Sequence, residues 1–227
     1  MLSINYQKDN IYAGKLLLKR TRWLPELESQ SYNINIACDN RGEKKSIADY
    51  ISTIYKSHYG ADIDINYPHL ISLNDEEGNI LAAVGIRYAS TEALFLEQYL
   101  DQSIESIIDT PRKYIVEIGN LASNKNGISL YLFIALSAYL SYRGYSKAVI
   151  TGTSALEKRF SMMGLKPQIL ASAKPSLLNE KHEDWGSYYQ SKPHVLVGSI
   201  NEGYQKLQCH SKAQFIAPTN FMLAEGF

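Results

Sequence analysis

The sequence predicts an α/β protein in which short apolar strands alternate with helices around a sheet. The clearest observation is the stretch from Tyr114 to Leu140, where an apolar strand passes through a short polar loop into a long apolar helix. A second is the segment from Lys44 to Tyr59, which places apolar side chains at the three-four spacing of an amphipathic helix. A length of 227 residues suits one large domain or two small ones.

The first half of the chain alternates in this way and is punctuated by turn residues. Gly60 ends the amphipathic helix, since glycine tolerates the left-handed conformation at a helix end. Turn-forming residues at 74–79 separate two apolar runs and predict a β-hairpin. The predicted elements are a strand at Ile34–Cys38, a helix at Lys44–Tyr59, hairpin strands at Leu70–Leu73 and Ile80–Arg87, a strand or extended segment at Leu94–Gln98 and a helix at Ser103–Ile108.

The second half begins with the central strand and the apolar helix. Residues 1–30 and residues 201–227 do not follow the alternating pattern. We expect them to form an N-terminal extension and a C-terminal tail that are flexible or cover an edge of the sheet. The predicted elements are a strand at Tyr114–Leu121, a buried helix at Ile128–Tyr142 closed by Gly144, a strand at Lys147–Thr153, a helix at Ser154–Met163 capped by Ser154 and a strand at Val195–Ile200.

Composition and charge argue against several classes of function. The 23 basic side chains balance the 23 acidic ones, so the net charge does not favour nucleic acid or an anionic membrane as partner. The longest apolar stretch, Ile128–Leu140, is shorter than the roughly 20 residues of a membrane-spanning helix. Cys38 and Cys209 make no metal-ligand pattern. We expect no metal, no permanently bound cofactor and a reduced, cytoplasmic setting without a secretory signal.

The polar loop between the central strand and the apolar helix is a candidate anion site. Backbone N–H groups at the start of a helix are unpaired and lie at the positive end of the helix dipole, so they bind phosphate well. Enzymes that use acyl thioesters hold a pantetheine arm at such a strand–loop–helix unit. We therefore predict this role for Asn124, Lys125, Asn126 and Gly127. The same unit is also common in α/β proteins that bind nothing there.

Two glutamates, Glu97 and Glu117, interrupt apolar segments that we expect to be strands. A buried carboxylate must be paired or have a raised pKa, and either is typical of a functional site. Arg87 also ends an apolar strand and is the natural charge partner. These three residues form the predicted catalytic group together with Asn120, whose amide can donate a hydrogen bond to a carbonyl. The alternative is a structural arginine–glutamate pair that joins neighbouring strands.

Two further residues are candidates for binding the substrate or the pantetheine arm. Tyr188 lies in the late segment WGSYY, where acyltransferases often place a tyrosine acid near the sulfur. An aromatic anchor for a loop is the alternative interpretation. Asp101 follows the segment that carries Glu97, and its alternative role is to cap the next helix. The 17 tyrosines of the chain fit a groove or core lined by amphipathic rings.

Several segments together resemble the thermostable hemolysin family: Ile80–Ser90 (ILAAVGIRYAS), Leu94–Asp101 (LFLEQYLD), Ile115–Ser123 (IVEIGNLAS), Ile169–Ala173 (ILASA) and Asp184–Tyr189 (DWGSYY). The resemblance implies a single α/β domain over residues 31–200, with the mixed central sheet and flanking helices of GNAT-type N-acyltransferases. It also implies distant kinship to the acyl-homoserine-lactone autoinducer synthases. Arg87 and Glu117 match two functional positions of those synthases. Asn120 stands where they carry a second arginine, so we expect a different amino substrate.

The sequence and the resemblance together predict an N-acyltransferase that moves a fatty acyl group from an acyl thioester to a small amine or an amino-acid-derived compound. Glu117 and Glu97 would serve as base and as anchors for the substrate ammonium, and Arg87 would hold the acceptor's carboxylate or pair with these acids. The usual GNAT phosphate loop carries two glycines, whereas this loop has only Gly127. An acyl carrier protein is thus expected as donor at least as readily as coenzyme A.

Alternatives remain open for the apolar helix and for the function. The helix Ile128–Tyr142 is expected to be core, with an acyl-chain tunnel along one face as the second interpretation. For the function, two alternatives come from other classes. One is a membrane-active hemolysin without enzymatic activity, which the family's name asserts. The other is a non-catalytic module that binds acyl groups.

Overall fold

The computed structural model describes residues 1–22, 24–26, 29, 31–124, 127–179 and 184–218. Ten strands and five α-helices occur within these ranges. In chain order they are β1 (Leu2–Lys8), β2 (Ile11–Leu18), β3 (Ser31–Ala37), α1 (Arg41–Tyr59), β4 (His69–Asn74), β5 (Ile80–Tyr88), α2 (Ile104–Ile108), β6 (Ile115–Ser123), α3 (Ile128–Tyr142), β7 (Lys147–Gly152), α4 (Ser154–Met162), β8 (Gln168–Ser172), β9 (His194–Ser199), α5 (Ile200–Ser211) and β10 (Gln214–Ile216).

All ten strands belong to one mixed sheet, in the order β10-β2-β1-β3-β4-β5-β6-β7-β9-β8. Two neighbouring pairs are parallel, β1 with β3 and β6 with β7, and the other pairs are antiparallel. Parallel neighbours cannot be joined by a tight turn, so α3 forms the crossover between β6 and β7. This arrangement confirms the predicted α/β fold with a mixed central sheet in a single domain.

Helices cover both faces of the sheet. Eleven of the 15 residues of α3 are buried, because this helix lies between the sheet and α5. The prediction that α3 belongs to the core is therefore confirmed. The amphipathic α1 buries Ile47, Ile51 and Tyr55 against the opposite face. Its end agrees with the sequence signal, since Gly60 takes a φ of +67°. Its start lies three residues earlier than predicted, because the Asn40 side chain accepts the Glu43 N–H at 3.2 Å and caps the helix there.

The structure overturns one predicted element. Residues Phe95–Tyr99 form a short 3-10 helix, whereas Leu94–Gln98 was expected to be a strand or an extended segment. The physical reason is local, because the Glu97 carboxylate accepts the Leu94 N–H at 2.7 Å and closes the turn. A smaller correction concerns α4, where Thr153 rather than Ser154 is the N-cap and accepts the Leu156 N–H at 3.4 Å.

The ends of the chain contribute to the sheet. β1 and β2 form an antiparallel pair next to β3, and β10 pairs with β2 at the edge. Tyr6 on β1 is fully buried, and its hydroxyl donates to the Ala135 carbonyl of α3 at 2.7 Å. Residues 1–18 are thus packed against the main core. Of the helices that the structure describes, none combines the length and the apolar character that crossing a membrane requires.

Candidate active site

The candidate site lies where β6 and β7 separate. These parallel strands pair only over Ile115–Ile118 and Lys147–Ile150, and β6 then continues to Ser123 beside β5 alone. The separation coincides with a β-bulge, because Gly119 pairs with Gly85 and Ala122 with Ala83, so that two residues of β6 lie opposite one of β5. Asn120 sits in the bulge with a φ of +51°. A gap therefore opens between the two strands in the middle of the sheet.

A cavity of about 340 Å³, which we call the splay cavity, lies at this gap. Ile118, Phe133 and Ile150 give it apolar lining. Tyr55, Tyr59 and Tyr188 contribute aromatic rings, as the abundance of tyrosine led us to expect. The exposed lining residues are His58, Asn124, Ala155 and Arg159. The cavity thus joins an apolar interior to a polar, positively charged rim.

The start of α3 lies beside this rim. Gly127 is its N-cap, has a φ of +82° and provides no capping side chain. Arg159 on α4 donates to the Ser129 hydroxyl in the first turn of α3 at 3.3 Å. A guanidinium and the positive end of a helix therefore lie at one end of the splay cavity, which suits a phosphate. Lys125 and Asn126 lie outside the described residues.

Gly127 is needed for packing against Pro25, and this explains the glycine without a ligand. A Cβ atom added there would lie 2.5 Å from Cγ of Pro25, and the positive φ would strain any other residue. Its small size is therefore required by packing against the N-terminal segment. Asn124, by contrast, lines the splay cavity directly.

Thr151 also lines the splay cavity. Its Oγ1 atom is covered by neighbouring protein atoms and has no hydrogen-bond partner within the part of the chain that the structure describes. A buried hydroxyl without a partner is costly to the fold. The hydroxyl of Tyr188 is close by and donates to the Thr151 carbonyl at 3.3 Å.

Glu117 is the buried acid of the site. The residue is 1% exposed, and its carboxylate accepts the N–H groups of Phe95 at 2.8 Å and Leu96 at 3.0 Å. Burial raises the pKa of Glu117 to about 7, although those N–H groups, the Arg87 charge and a hydrogen bond with Tyr67 all oppose the shift. A carboxyl that titrates near neutrality is well matched to general acid–base chemistry.

Arg87 lies directly opposite Glu117 in the β5–β6 register. Its Nη1 is 4.0 Å from a Glu117 oxygen, whereas Nη2 donates to the Asn66 carbonyl at 2.8 Å and Nε lies 3.1 Å from a Glu92 oxygen. The guanidinium also lies 4.9 Å from the ring centroid of Tyr67. The expected Arg87–Glu117 contact therefore exists but is long, and the guanidinium is held mainly by other groups.

Glu97 has a different environment from the one that we expected. It is in the 3-10 helix, and its carboxylate accepts from Arg112 at 2.7 Å and 3.1 Å and from the N–H groups of Leu94 and Ile104. Burial alone would raise the pKa of Glu97, but the hydrogen bonds from Arg112 and the two N–H groups lower it below its ordinary value. Both oxygens are engaged, so the geometry favours anchoring of the loop over proton transfer.

Asp101 is exposed in the turn after the 3-10 helix and is not among the residues that line the splay cavity. It does not cap α2 either, since Ser103 occupies that position. The structure therefore places Asn120, Asn124 and Tyr188 in the lining of the splay cavity. The pair of Arg87 and Glu117 precedes the bulge on β5 and β6, whereas Asp101 and the Glu97 carboxylate belong to the neighbouring loop. Among the described residues, no group of three or more His, Cys, Asp or Glu side chains is placed to hold a metal ion.

Sequence reasoning missed three residues of this region: Tyr67, Thr151 and Arg159. The position of Tyr67 could have been anticipated in part, because Gly85 and Gly119 interrupt two apolar strands. Glycines inside strands often mark the close approach of another group. Arg159 had none, since a single arginine on an amphipathic helix is usually a solvated surface residue.

Comparison with solved structures supports the fold. The acyl-homoserine-lactone synthase LasI aligns with a TM-score of 0.54 at 15% identity, over 78% of this chain and 93% of LasI. FeeM, an N-acyl amino acid synthase from uncultured soil microbes, gives 0.54 at 14%, over 77% and 94% of the two chains. BjaI, a CoA-dependent acyl-homoserine-lactone synthase solved with SAM and isopentyl-CoA, gives 0.54 at 11%, over 78% and 87%. At such identities, the likeness establishes the GNAT-like α/β fold alone.

Comparison with curated proteins gives no match. The model of one protein family, described as thermostable hemolysin, matches residues 38–204. This range includes the bulge of β6, Glu117 and every residue that lines the splay cavity. The match covers most of the chain and confirms the resemblance seen in the sequence: the chain belongs to the thermostable hemolysin family.

Proposed function

We propose that this protein is an N-acyltransferase that moves an acyl group from a thioester to an amine. The observation that carries the proposal is the splay cavity beside a buried carboxyl, Glu117, whose pKa is about 7. Acyl transfer to an amine needs a base for the ammonium proton, donors for the oxyanion and an acid for the departing thiolate. The gap between β6 and β7 offers a place for each of these groups.

The donor is proposed to enter at the charged rim. Arg159 and the start of α3 would hold the phosphate of a pantetheine arm, with Asn124 and, from the sequence, Lys125, Asn126 and Gly127 in the adjoining loop. BjaI was solved with isopentyl-CoA, and both coenzyme A and an acyl carrier protein carry this arm, so either is a candidate donor.

A second cavity suits the acyl chain. It measures about 150 Å³, is mostly apolar and shares Ile118, Phe133 and Ile150 with the splay cavity. Leu136 and Leu140 of α3 form part of its wall. Burial of a methylene group is worth about 0.8 kcal/mol, so a fatty chain would bind here in preference to acetyl. The proposal thereby adopts the acyl-tunnel interpretation of α3 alongside its role in the core.

In the proposed reaction, Glu117 receives a proton from the acceptor ammonium, and the free amine nitrogen forms a bond to the thioester carbonyl carbon. Backbone N–H groups at the β6 bulge and the Asn120 amide would stabilise the oxyanion. The carbon–sulfur bond then breaks, Tyr188 would give a proton to the thiolate, and Tyr188 would recover a proton from the acylated nitrogen, which leaves as a neutral amide. Arg87 would hold the acceptor's carboxylate. Glu97 and Asp101, both predicted from sequence, would act only indirectly through the neighbouring loop.

The acceptor is proposed to be a small amine or an amino-acid derivative. FeeM is an N-acyl amino acid synthase, and BjaI was solved with SAM, so amino-acid-derived acceptors occur on this fold. Asn120 replaces the arginine of the autoinducer synthases, which supports an acceptor other than theirs. Both described cysteines are free thiols, which accords with the cytoplasm as the proposed location.

Mass spectrometry of small molecules from cells that make the protein tests this function. Cells with the native protein should accumulate an N-acylated compound that is absent from cells with Glu117→Ala. Glu76→Gln, a change in the exposed hairpin turn, is the matched control and should preserve the product. An identical set of products from native and Glu117→Ala cells would remove the enzyme interpretation and favour a module that only binds acyl groups.

A further inference from the structure

We propose that the hydroxyl of Tyr67 is a proton relay between Glu117 and the splay cavity. The inference rests on the proposed function and gives Tyr67 a part in its proton transfer. Its basis is the way in which β5 and β6 are shaped around one buried tyrosine ring.

Tyr67 lies just before β4, and its ring crosses the middle of the sheet. The residue is 8% exposed. A Cβ atom at Gly85 would overlap the inner end of the ring, and one at Gly119 would overlap the hydroxyl end. Neither of these glycines has a positive φ, so backbone conformation does not require them. Both positions are kept free of side chains where the ring lies.

The hydroxyl of Tyr67 lies over Gly119, which lines the splay cavity, and Glu117 is two residues earlier on the same face of β6. Hydrogen bonding with Tyr67 is also among the effects that lower the pKa of Glu117. Since Glu117 is 1% exposed, it needs an intermediary to exchange a proton with a molecule in the cavity.

Among the groups that face Glu117, Tyr67 has the side chain suited to passing on a proton. Phe95 and Leu96 present backbone N–H groups, which donate hydrogen bonds but do not transfer protons under these conditions. Arg87 presents guanidinium N–H groups, which donate hydrogen bonds and have no acceptor site. Of these groups, only the Tyr67 hydroxyl can accept one proton while it gives up another. The other titratable groups around the ring of Tyr67 are Tyr55 on α1 and Tyr188.

The two proton transfers, from the ammonium to Tyr67 and from Tyr67 to Glu117, occur in one concerted step. As an N–H bond of the acceptor ammonium breaks, its proton forms a new O–H bond on Tyr67, and the original Tyr67 proton passes to a Glu117 oxygen. No tyrosinate accumulates, because burial and the nearby Glu117 raise the pKa of Tyr67 well above its ordinary value. The Arg87 guanidinium over the ring opposes that increase and lowers the cost of the negative charge that develops during transfer.

Tyr67→Phe tests the relay, because it removes the hydroxyl and keeps the ring that fills the space over the two glycines. Tyr6→Phe is the matched control, since it also deletes one buried hydroxyl, far from the cavity. The probe is octanoyl-CoA, with the amine that the native protein acylates best. We expect Tyr67→Phe to lower kcat by about 100-fold with little change in the KM for octanoyl-CoA, whereas Tyr6→Phe keeps the native kcat.

A second measurement is independent of turnover. The Glu117 carboxyl carbon is followed by ¹³C NMR during a pH titration and is assigned by its disappearance in Glu117→Gln. In Tyr67→Phe it should titrate at higher pH than in the native protein, because the carboxylate loses a hydrogen bond. The acid limb of the kcat/KM profile should move in the same direction. Exchange of the Glu117 proton with solvent should also slow, so that the averaged carboxyl line separates into two.

Equal kcat values for the two phenylalanine variants, or an unchanged Glu117 titration and line shape in Tyr67→Phe, would overturn the relay. A native protein that transfers no acyl group to any amine would instead refute the proposed function. In that case the NMR titration decides the link between Tyr67 and Glu117 without reference to catalysis.

Discussion

The raised pKa of Glu117 predicts an unusual dependence of stability on pH. The folded protein holds this proton up to about pH 7, whereas the unfolded chain releases it near the ordinary value of 4.5. Between these pH values the folded state binds more protons than the unfolded state. The contribution of Glu117 to the free energy of unfolding is therefore fully present below pH 4.5 and is lost as the pH rises through about 7.

The size of the effect follows from the same two values. Each pH unit over which the proton is bound only in the folded state is worth about 1.4 kcal/mol, so the full span corresponds to about 3 kcal/mol. This is a large part of the roughly 5–15 kcal/mol that stabilises a typical domain. Glu97 acts in a different window, because its lowered pKa confers stability that is lost only as the pH falls below its ordinary value of 4.5.

The assay is urea denaturation followed by circular dichroism at pH 5, 6, 7 and 8. The perturbation is Glu117→Gln, which cannot ionise, and the exposed Glu76→Gln is the control. A glutamine amide will leave Phe95 N–H or Leu96 N–H poorly matched, which lowers stability at every pH. The quantity to compare is therefore the slope of unfolding free energy against pH.

From pH 5 to pH 8, the native protein should lose about 3 kcal/mol more than Glu117→Gln does. Contributions from other groups, such as the half-buried His69 with its lowered pKa, are shared by both proteins and cancel in the difference. Parallel stability curves for native and Glu117→Gln would show that the Glu117 carboxyl is ionised well below neutrality. That result would refute the reasoning about its burial and weaken its case as the base.

Three further predictions concern the cavity, the sheet and membranes. Arg159→Ala should weaken binding of coenzyme A by about tenfold in calorimetric titration, because a charge-assisted hydrogen bond contributes about 1.5–3 kcal/mol. The control, Lys158→Ala on the same helix, should change the affinity little. Equal affinities for the two variants would place the phosphate elsewhere. Gly119→Ala should destabilise the protein by about 1–3 kcal/mol in urea denaturation, because the added Cβ overlaps the Tyr67 hydroxyl. In the control, Gly198→Ala on β9, the added Cβ meets no atom within 4 Å. Equal urea midpoints for the two variants would contradict the described packing. The purified protein without substrates should not release dye from lipid vesicles at micromolar concentration; rapid, dose-dependent release that persists in Glu117→Gln would favour the membrane-active alternative.

Local patterns in the sequence were sufficient to predict the elements whose periodicity and end residues lie within the element itself. The helix α1 has apolar side chains on one face and Gly60 at its end, and both signals act within a few residues. The hairpin of β4 and β5 and the apolar α3 are similar cases. In β1, buried and less buried side chains also alternate, with Leu2, Ile4 and Tyr6 buried. It could be identified as a strand only from its pairing with neighbouring strands in the sheet.

Glu97 and Glu117 show where sequence reasoning stops. Both interrupt apolar segments, so the sequence predicts the same burial and the same chemistry for them. In the fold, Arg112 reaches the Glu97 carboxylate at 2.7 Å and stabilises its charge, whereas the Arg87 guanidinium stays 4.0 Å from Glu117. Burial is nearly complete at Glu117 and raises its pKa, whereas at Glu97 the hydrogen bonds from Arg112 and from two N–H groups outweigh burial and lower the pKa. Charge stabilisation depends on distances of a few ångströms, which tertiary packing sets.

By itself the sequence determined the family, the α/β class, the order of most central elements and the candidacy of Glu117, because these depend on local periodicity and on recognisable motifs. Only the tertiary structure decided that β6 bulges away from β7, that Arg159 lies beside the start of α3 and that the ring of Tyr67 covers Gly85 and Gly119. Each of these features joins residues that are far apart in the chain. The free energy that holds them comes from packing of the whole sheet, which no single segment encodes.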